Sequence, residues 1–210
     1  MKKICILLTT ILTMTQLSKH RLFAAETPNV IRSENSPVTF LENHGQWPDN
    51  ILYQSTATPI NVYFMKDGLS FAKSGEEVVN GEEEEEYSYL VWNMKFLNTS
   101  AEMLISGEDG AESKITYLYG NDPGKWVIHP TEYSLLHYNQ MYNHIDLDFY
   151  GNENNLKYDY LIHQGGDIHS IMAAFVGIDG LSINDAGDLE ITTEYGVQLQ
   201  KAPFAYQVIN

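Results

Sequence analysis

The stretch from Tyr142 to Ile162 constrains the fold more than any other, because large apolar residues recur there at every second position. They stand on both sides of a turn-forming run, Gly151 to Asn155, at Ile145, Leu147, Phe149, Leu156, Tyr158, Tyr160 and Ile162. Alternation of this kind is typical of a half-buried strand, and two such strands around a glycine- and asparagine-rich run predict a β-hairpin. One face of this hairpin is therefore apolar and the other polar.

The polar face of the hairpin carries three aspartates, Asp146, Asp148 and Asp159. If Phe149 lies opposite Leu156 on the apolar face, Asp148 is predicted to lie opposite Lys157. The same register places Asp146 opposite Asp159. Two opposed carboxylates repel unless they are solvated, protonated, hydrogen-bonded or bound to a cation, so this pair is the first place to look for chemistry.

Short runs with the same alternation continue along the chain, separated by glycine, proline, asparagine or aspartate. Strands are predicted at 51–55, 61–65, 69–73, 89–96, 102–105, 114–119, 132–139, 168–177, 181–184, 188–193 and 197–207. A short helix at 170–176 is the alternative there, and the acidic run Glu82–Glu86 is predicted to be a solvated loop. This spacing predicts an all-β fold, an antiparallel β-sandwich built from hairpins with little helix, with an open barrel as the alternative. Two packed β subdomains divided near residues 120–130 are a variant of the same prediction.

The first 25 residues have the outline of a secretory signal peptide. Lys2 and Lys3 precede an apolar run, Ile4 to Met14, that is too short to span a bilayer. Residues 26–37 are predicted to be a linker or N-terminal arm, and residues 38–210 the all-β domain. We therefore expect a secreted or cell-surface protein that has no membrane span once the leader is removed.

Composition argues against two classes of function. Cys5 is the only cysteine and lies in the leader, so disulfides, cysteine nucleophiles and thiolate metal sites are not expected in the mature chain. Loss of the leader leaves 8 lysines and arginines against 28 aspartates and glutamates. A chain this acidic is repelled by phosphate backbones, so nucleic acid is not an expected partner.

The three aspartates of the hairpin are candidate calcium ligands, because carboxylate oxygens on adjacent strands can converge on one ion. In the competing interpretation Asp146, Asp148 and Asp159 are structural, with Asp148 paired to Lys157. Two carboxylates could also hydrolyse a glycosidic bond, which needs a separation of about 5 to 9 Å. No cofactor other than calcium is expected.

Trp47 and Trp126 are candidates for stacking on sugar rings, because each lies beside a turn that contains proline. The competing interpretation is that they anchor those turns to the sheet. Trp92 instead lies in an apolar alternation and is predicted to be in the core. A zinc site is not favoured, because no helical pair occurs among the six histidines that follow the leader, His44, His129, His137, His144, His163 and His169. The motifs of serine hydrolases and phosphate-binding loops do not occur.

Four phrases carry a family resemblance: FLENHGQWPDNILYQS, ITYLYGNDPGKW, YNHIDLDFYGNENNLKYDYLIHQGGDIHSI and GDLEITTEYGVQLQKAPFAYQ. In this order, over Thr39 to Gln207, the chain resembles the uncharacterised N-terminal domain of large secreted Bacteroidetes-type proteins. The resemblance implies a place ahead of β-propeller (SBBP) repeats and a C-terminal type IX secretion sorting signal. It supplies no catalytic residues. The chain departs from the pattern at Gln164-Gly165-Gly166, where the family has Pro-Gly.

Taken together, the residues and the resemblance lead us to expect a non-catalytic extracellular or cell-surface β module for adhesion, assembly or glycan contact. Its expected partners are a glycan or a cell-surface protein. A carbohydrate-active enzyme that uses a carboxylate pair is the alternative.

Overall fold

The computed structural model describes residues 38–55, 60–74, 89–152 and 155–206. The predicted leader, the predicted arm and the Glu82–Glu86 run lie outside these residues. The strands and two 3₁₀ helices of the described part follow in this order: β1 (Phe40–Glu42), β2 (Ile51–Ser55), β3 (Asn61–Met65), β4 (Gly68–Ser74), β5 (Tyr89–Leu97), β6 (Leu104–Glu108), β7 (Ala111–Glu112), β8 (Thr116–Tyr117), a 3₁₀ helix (Pro123–Lys125), β9 (Val127–Ile128), β10 (Thr131–Tyr133), β11 (Leu135–Tyr142), β12 (Ile145–Asn152), β13 (Asn155–Ile162), a 3₁₀ helix (Ile168–Ser170), β14 (Met172–Val176), β15 (Gly180–Ile183), β16 (Leu189–Thr193) and β17 (Gly196–Gln200).

Eight strands form the largest sheet, in the antiparallel order β14-β5-β4-β3-β2-β1-β10-β7. The predicted hairpin of β3 and β4 is part of it, and its closing pair is Met65 with Gly68. Glycine is required at this position, because φ is +156° and a β-carbon would lie 2.2 Å from the Met94 carbonyl oxygen. The turn and the neighbouring strand β5 therefore both select the same residue.

A four-stranded sheet in the order β13-β12-β11-β6 packs on the large sheet. Phe64 of the large sheet and Leu147 and Phe149 of the smaller one belong to a single buried apolar cluster. The rings of Phe64 and Phe149 meet edge to face across the interface, with centroids 5.1 Å apart. Two antiparallel sheets that share an apolar core form a β-sandwich, so the predicted fold class is confirmed.

A three-stranded sheet, β15-β16-β17, packs on the same face of the large sheet, farther along β5. Trp92 and Met94 lie two positions apart on β5 and therefore point the same way. Met94 joins the main core, whereas Trp92 packs with Leu189 and Ile191 of β16. Trp92 is thus in the core, as predicted, but in a second cluster beneath the three-stranded sheet.

The remaining differences from the predicted strands fall where the chain changes direction. The strand predicted at 132–139 is divided at Ser134 into β10 and β11, which belong to different sheets. The strand predicted at 168–177 begins as a 3₁₀ helix that the Asp167 side chain caps, and only then becomes β14, so the helix alternative at 170–176 is wrong. The strands predicted at 114–119 and 197–207 are shortened to β8 and β17.

The division predicted near residues 120–130 stays a prediction. The main apolar cluster contains Phe40, which precedes that region, and Leu136, which follows it. The large sheet likewise takes strands from both sides. Residues on either side of 120–130 therefore share one core.

Candidate functional site

The hairpin of β12 and β13 pairs its aspartates in a register different from the predicted one. The two strands leave only residues 153 and 154 between them, where a five-residue turn was predicted. Phe149 pairs with Tyr158 and not, as predicted, with Leu156. The pairing is thus shifted by two positions, and the residue opposite Asp159 is Asp148 rather than Asp146. The predicted pair of Asp148 with Lys157 is wrong for the same reason. A shift of two keeps every side chain on its predicted face.

Each of the two opposed carboxylates has a bonding partner. Asp148 Oδ1 lies 2.5 Å from His137 Nδ1, across the paired strands β11 and β12. Asp159 Oδ1 accepts a hydrogen bond of 3.2 Å from the Tyr150 hydroxyl. Hydrogen bonds to a carboxylate stabilise its charge. The repulsion between Asp148 and Asp159 is therefore offset by protein groups.

Asp146 is the most enclosed of the three aspartates, with 8 % of its surface exposed. Its Oδ1 accepts a 2.7 Å hydrogen bond from the Gln140 amide, and its Oδ2 lies 2.6 Å from His163 Nε2. Gln140 has a φ of +50° and lies where the β11–β12 register shifts. Asp146 thus holds the irregular part of β11 and joins it to the residue that follows β13.

No group of three or more histidine, cysteine, aspartate or glutamate side chains in the described part of the chain is arranged to hold a metal ion. The calcium site predicted from Asp146, Asp148 and Asp159 therefore stays a prediction without geometric support. Asp146 and Asp148 each have one carboxylate oxygen bonded to a histidine ring. These two oxygens would be needed as ligands for the ion. The arrangement favours the structural interpretation of these carboxylates.

Sequence reasoning missed both histidine–aspartate pairs. Leu136 and Tyr138 are buried on either side of His137, and this alternation alone places His137 on the polar face. What the sequence did not reveal is that β11, rather than another strand, is the neighbour of β12. His163 was considered only as one of the six histidines without a helical pair, and its ring is bonded to Asp146.

The loop after β1 is built by two side-chain amides. Asn43 Oδ1 accepts hydrogen bonds from the backbone amides of Gly45 and Trp47, at 2.9 and 3.2 Å. Gln46 is buried, and its Nε2 donates to the Glu42 carbonyl oxygen at 2.6 Å. The phrase FLENHGQW, which carries part of the family resemblance, is therefore a loop-forming sequence whose polar residues bond to its own backbone.

Trp47 is half-buried and meets two tyrosines edge to face. Its ring centroid lies 6.0 Å from that of Tyr63 and 5.7 Å from that of Tyr117. Such pairs contribute about 0.5–1.5 kcal/mol each beyond the area they bury. Trp47 therefore has the contacts of an anchor, which was the competing interpretation for this residue.

Residues 116–128 form a projecting hairpin that we call the aromatic arm, made of β8, β9 and the loop between them. Tyr117 pairs with Val127, and Tyr117 is buried against Trp47. The Tyr119 hydroxyl donates to the Gln46 carbonyl oxygen at 2.8 Å, which fastens the arm to the loop after β1. One face of the arm is therefore fixed to the sandwich.

Trp126 belongs to the opposite face of the aromatic arm. It directly precedes Val127 and has an extended backbone, so strand alternation places it with Leu118 and Ile128. Leu118 and Ile128 are 62 % and 61 % exposed. The half-buried Trp126 ring is held by its Nε1–H, which donates to the Gly120 carbonyl oxygen at 3.3 Å. The two predicted tryptophans thus lie on opposite faces of one arm.

Glu42 has two tyrosine neighbours that sequence reasoning did not single out. The Tyr133 hydroxyl donates to Glu42 Oε2 at 3.0 Å. Burial, followed by the charge of Glu42, raises the pKa of Tyr53 to about 12, and burial also raises the pKa of Tyr133. Both hydroxyls therefore stay protonated near neutral pH, which suits hydrogen-bond donors and not nucleophiles.

These features define an all-β sandwich domain with bonded histidine–aspartate pairs on one sheet face and an aromatic arm on its surface. The chain belongs to the family described as a domain of unknown function (DUF7948), whose model matches residues 40–210. A search among curated proteins and one among solved structures each gave no match. In the part that the structure describes, no helix combines the length and apolar character needed to cross a membrane.

Proposed function

We propose that the chain is a non-catalytic extracellular module that contacts neutral glycans through the outer face of the aromatic arm. The observation that carries this proposal is the arrangement of Trp126 beside the exposed Leu118 and Ile128 on a hairpin whose other face is fastened down. Aromatic rings recognise sugars by stacking on their C–H faces, and a flat apolar strip around a tryptophan suits that contact.

The arm is held in place before any ligand arrives. Tyr119 bonds to Gln46, and the Asp122 side chain accepts from the Gly124 amide at 3.0 Å. Trp126 is itself bonded to Gly120. A surface with these constraints loses little conformational entropy on binding. This matters for a sugar ring, because its weak contacts with an open surface offset only a small entropic cost.

Charge narrows the class of glycan. The whole chain has a formal net charge of −16, and the predicted mature chain is more acidic still. Long-range repulsion disfavours sulfated and uronic-acid polysaccharides, as it disfavours nucleic acid. Neutral polysaccharides are therefore the proposed ligands.

Location and context form the finer part of the proposal. We infer a secreted or cell-surface module that precedes β-propeller (SBBP) repeats in a Bacteroidetes-type protein with a type IX sorting signal. Support comes from the leader-like first 25 residues and from the four ordered phrases, whose loop residues Asn43 and Asp122 make the turn-forming bonds described above. The sequence that follows residue 210 in the gene tests this placement, since repeats there would support it and unrelated domains would contradict it.

Affinity electrophoresis tests the glycan contact. The mature chain should be slowed in gels containing at least one neutral polysaccharide, drawn from β-glucan, xyloglucan, mannan and arabinoxylan, and should migrate freely through polygalacturonate. Trp126→Ala should abolish the retardation, and Trp126→Phe should keep most of it because a ring is retained.

Leu104→Ala is the matched control, because Leu104 is also a large exposed residue but lies on β6, outside the arm. It should leave retardation unchanged. Retardation that survives Trp126→Ala, or that Leu104→Ala removes equally, would contradict the arm as the binding surface.

Catalysis by a carboxylate pair is the second candidate, and one observation favours it. Asp148 and Asp159 are directly opposed, a position compatible with the roughly 5 Å separation of retaining glycosidases, and His137 is bonded to Asp148. Hydrolysis of the same polysaccharides, lost in both Asp148→Asn and Asp159→Asn, would establish it. Binding without turnover supports the non-catalytic proposal.

A further inference from the structure

Large exposed apolar side chains are concentrated in the last part of the described chain. Eight such residues are exposed among the described residues, and five of them lie between residues 183 and 206: Ile183, Val197, Leu199, Phe204 and Tyr206. Val197 and Leu199, which are 54 % and 49 % exposed, lie on β17. These two residues are two positions apart and therefore share one face, so β17 presents an adjacent pair of exposed apolar side chains, which is the kind of surface that marks an interaction site.

β17 is also an edge strand. Among the residues that the structure describes, it pairs with β16 alone. Residues 194 and 195 form the tight turn before it, so Thr193 with Gly196 is the hydrogen-bonded closing pair and the bonded positions alternate from there. Val197 and Leu199 therefore direct their backbone N–H and C=O groups away from β16.

Natural edge strands are usually protected from further pairing by charges, prolines or bulges. β17 has the sequence GVQLQ and its ladder with β16 is regular, so it carries none of these. Its last residue, Gln200, donates through its side chain to the Tyr158 hydroxyl of β13. The edge that an incoming strand can reach is therefore Gly196–Leu199.

The surroundings of this edge are acidic. Between residues 177 and 206 there are five acidic side chains and a single lysine. That lysine, Lys201, lies 3.0 Å from the carboxylate of Asp188, so its charge is already balanced. A second copy of this acidic chain would be repelled, whereas a basic partner would be attracted.

We propose that the free edge of β17 accepts an added β-strand from a partner polypeptide in which apolar residues alternate with lysine or arginine. The partner's backbone would bond to the outward groups of Val197 and Leu199, and its apolar side chains would cover those two residues. Its basic side chains would meet the acidic surroundings. This inference is independent of the glycan contact, because it concerns a different surface and fails or succeeds separately.

A synthetic strand tests the proposal. The probe is a capped nine-residue peptide in which lysine alternates with valine, titrated into the mature chain. Amide hydrogen exchange at Val197 and Leu199 should slow at least tenfold on binding, whereas the Gln198 amide, which already faces β16, should change much less. A peptide with glutamate in place of lysine should bind at least tenfold more weakly.

Two variants and one control peptide separate strand addition from simple charge attraction. Leu199→Pro removes an outward donor that β16 does not use, and the paired change Val197→Ser with Leu199→Ser removes the apolar cover. Both should abolish the protection, and the serine variant keeps the test decisive if the proline variant does not fold. A lysine–valine peptide interrupted by a central proline has the same charge and should not bind.

Equal binding of the interrupted peptide, or protection that persists in the serine variant, would overturn the proposal. Sedimentation of the protein alone provides the remaining test. A concentration-dependent dimer that the serine variant abolishes would assign the edge to a second copy and would overturn the basic partner.

Discussion

At the scale of single residues, the buried polar groups decide which substitutions the fold tolerates. Asp146 combines a buried carboxylate with two bonds, one to a backbone amide and one to His163. Trp92 presents the opposite case, since its indole Nε1–H is buried and finds no acceptor among the described residues. Removal of the Asp146 carboxylate loses two hydrogen bonds, whereas removal of the Trp92 N–H eliminates an unsatisfied buried donor.

We expect Asp146→Ala to lower the free energy of unfolding by about 2–4 kcal/mol, because the Gln140 amide and the His163 ring both lose their acceptor. Urea denaturation followed by circular dichroism measures the change. Asp49→Ala is the control, since Asp49 is exposed, and it should change stability by less than about 0.5 kcal/mol. Equal effects of the two substitutions would contradict the role given to Asp146.

Two substitutions of Trp92 should destabilise the protein to different extents, because they differ in the volume they remove and both remove the unsatisfied indole N–H. Trp92→Ala opens a cavity between β5 and β16 and should cost about 3–5 kcal/mol. Trp92→Phe keeps the stacking on Phe71, whose centroid is 5.2 Å away, and removes the unsatisfied N–H, so it should cost clearly less. If the phenylalanine variant is as unstable as the alanine variant, the indole N–H makes a stabilising contact in the folded protein, which would contradict its role as an unsatisfied donor.

Residue-level prediction from the sequence was correct about faces and wrong about pairs. Trp92 was placed in the core because alternation fixes the direction of a side chain. The opposition of Asp146 to Asp159 was wrong because it depended on the length of the turn, and a glycine- and asparagine-rich run fits several turn lengths. His137 could not be paired with Asp148, because nothing local identifies a neighbouring strand.

At the scale of elements, the aromatic arm and the C-terminal segment are each fastened by a few polar contacts. Together with the contact of Tyr117 on Trp47, the bond between Tyr119 and Gln46 holds the arm, and Asp188 holds the segment after β17. Elements held in this way can be loosened without unfolding the sandwich. Each therefore permits a local test.

Tyr119→Phe should loosen the aromatic arm without unfolding the domain. The substitution removes only the hydroxyl that donates to Gln46, and the stacked ring contact with Tyr117 is kept. Hydrogen exchange should accelerate across residues 116–128 and stay unchanged in β12 and β13. Global stability should fall by about 1 kcal/mol. Exchange in the arm equal to that of the wild type would show that this bond does not fasten it.

The segment after β17 should detach in acid. The Ala202 amide, followed by Lys201, bonds to Asp188 and lowers the pKa of that carboxyl. Because the folded pKa lies below the unfolded one, the carboxylate stabilises the contact above the unfolded value, and this contribution is lost as pH falls through the folded value. The protection factor of the Ala202 amide, which compares its exchange with the intrinsic rate at the same pH, should therefore fall below about pH 4.

Asp188→Asn provides the matched variant for this pH dependence. It cannot ionise but keeps an acceptor oxygen, so the protection factor of its Ala202 amide should already be below that of the wild type at pH 6 and should not fall further in acid on account of this group. A wild-type amide whose protection stays constant down to pH 2 would contradict the assignment of Asp188.

Most elements could be predicted from alternation and turn residues, and the failures share one physical cause. The strand predicted at 132–139 contains no glycine or proline, yet Ser134 divides it, because the chain leaves one sheet for the other at that point. The Ser134 backbone amide donates to the Glu108 carbonyl oxygen at 3.2 Å. Such a corner is set by contacts distant in sequence, which a local pattern does not record.

At the scale of the whole molecule, the two proposals use surfaces that neither sheet of the sandwich needs for its core. In the first proposal the aromatic arm would present a ring and apolar side chains to a neutral glycan. In the second, the outer edge of β17, which no described strand pairs with, would present its backbone to a basic strand. A strongly acidic chain with both surfaces suits a module that holds a larger protein against a polysaccharide. The sequence predicted the class of fold and Trp126 as a candidate, but only the structure separated Trp126 from Trp47.

The most direct test of glycan contact by the aromatic arm is an NMR titration of ¹⁵N-labelled protein. The three indole N–H signals are followed while an oligosaccharide is added, taken from the neutral polysaccharide that slows the protein in the gel. The signal of Trp126 should shift progressively and saturate, while those of Trp47, packed between tyrosines, and the buried Trp92 should stay in place. A titration that moves Trp47 instead, or that leaves Trp126 unmoved while the glycan binds, would contradict the aromatic arm as the site of glycan contact.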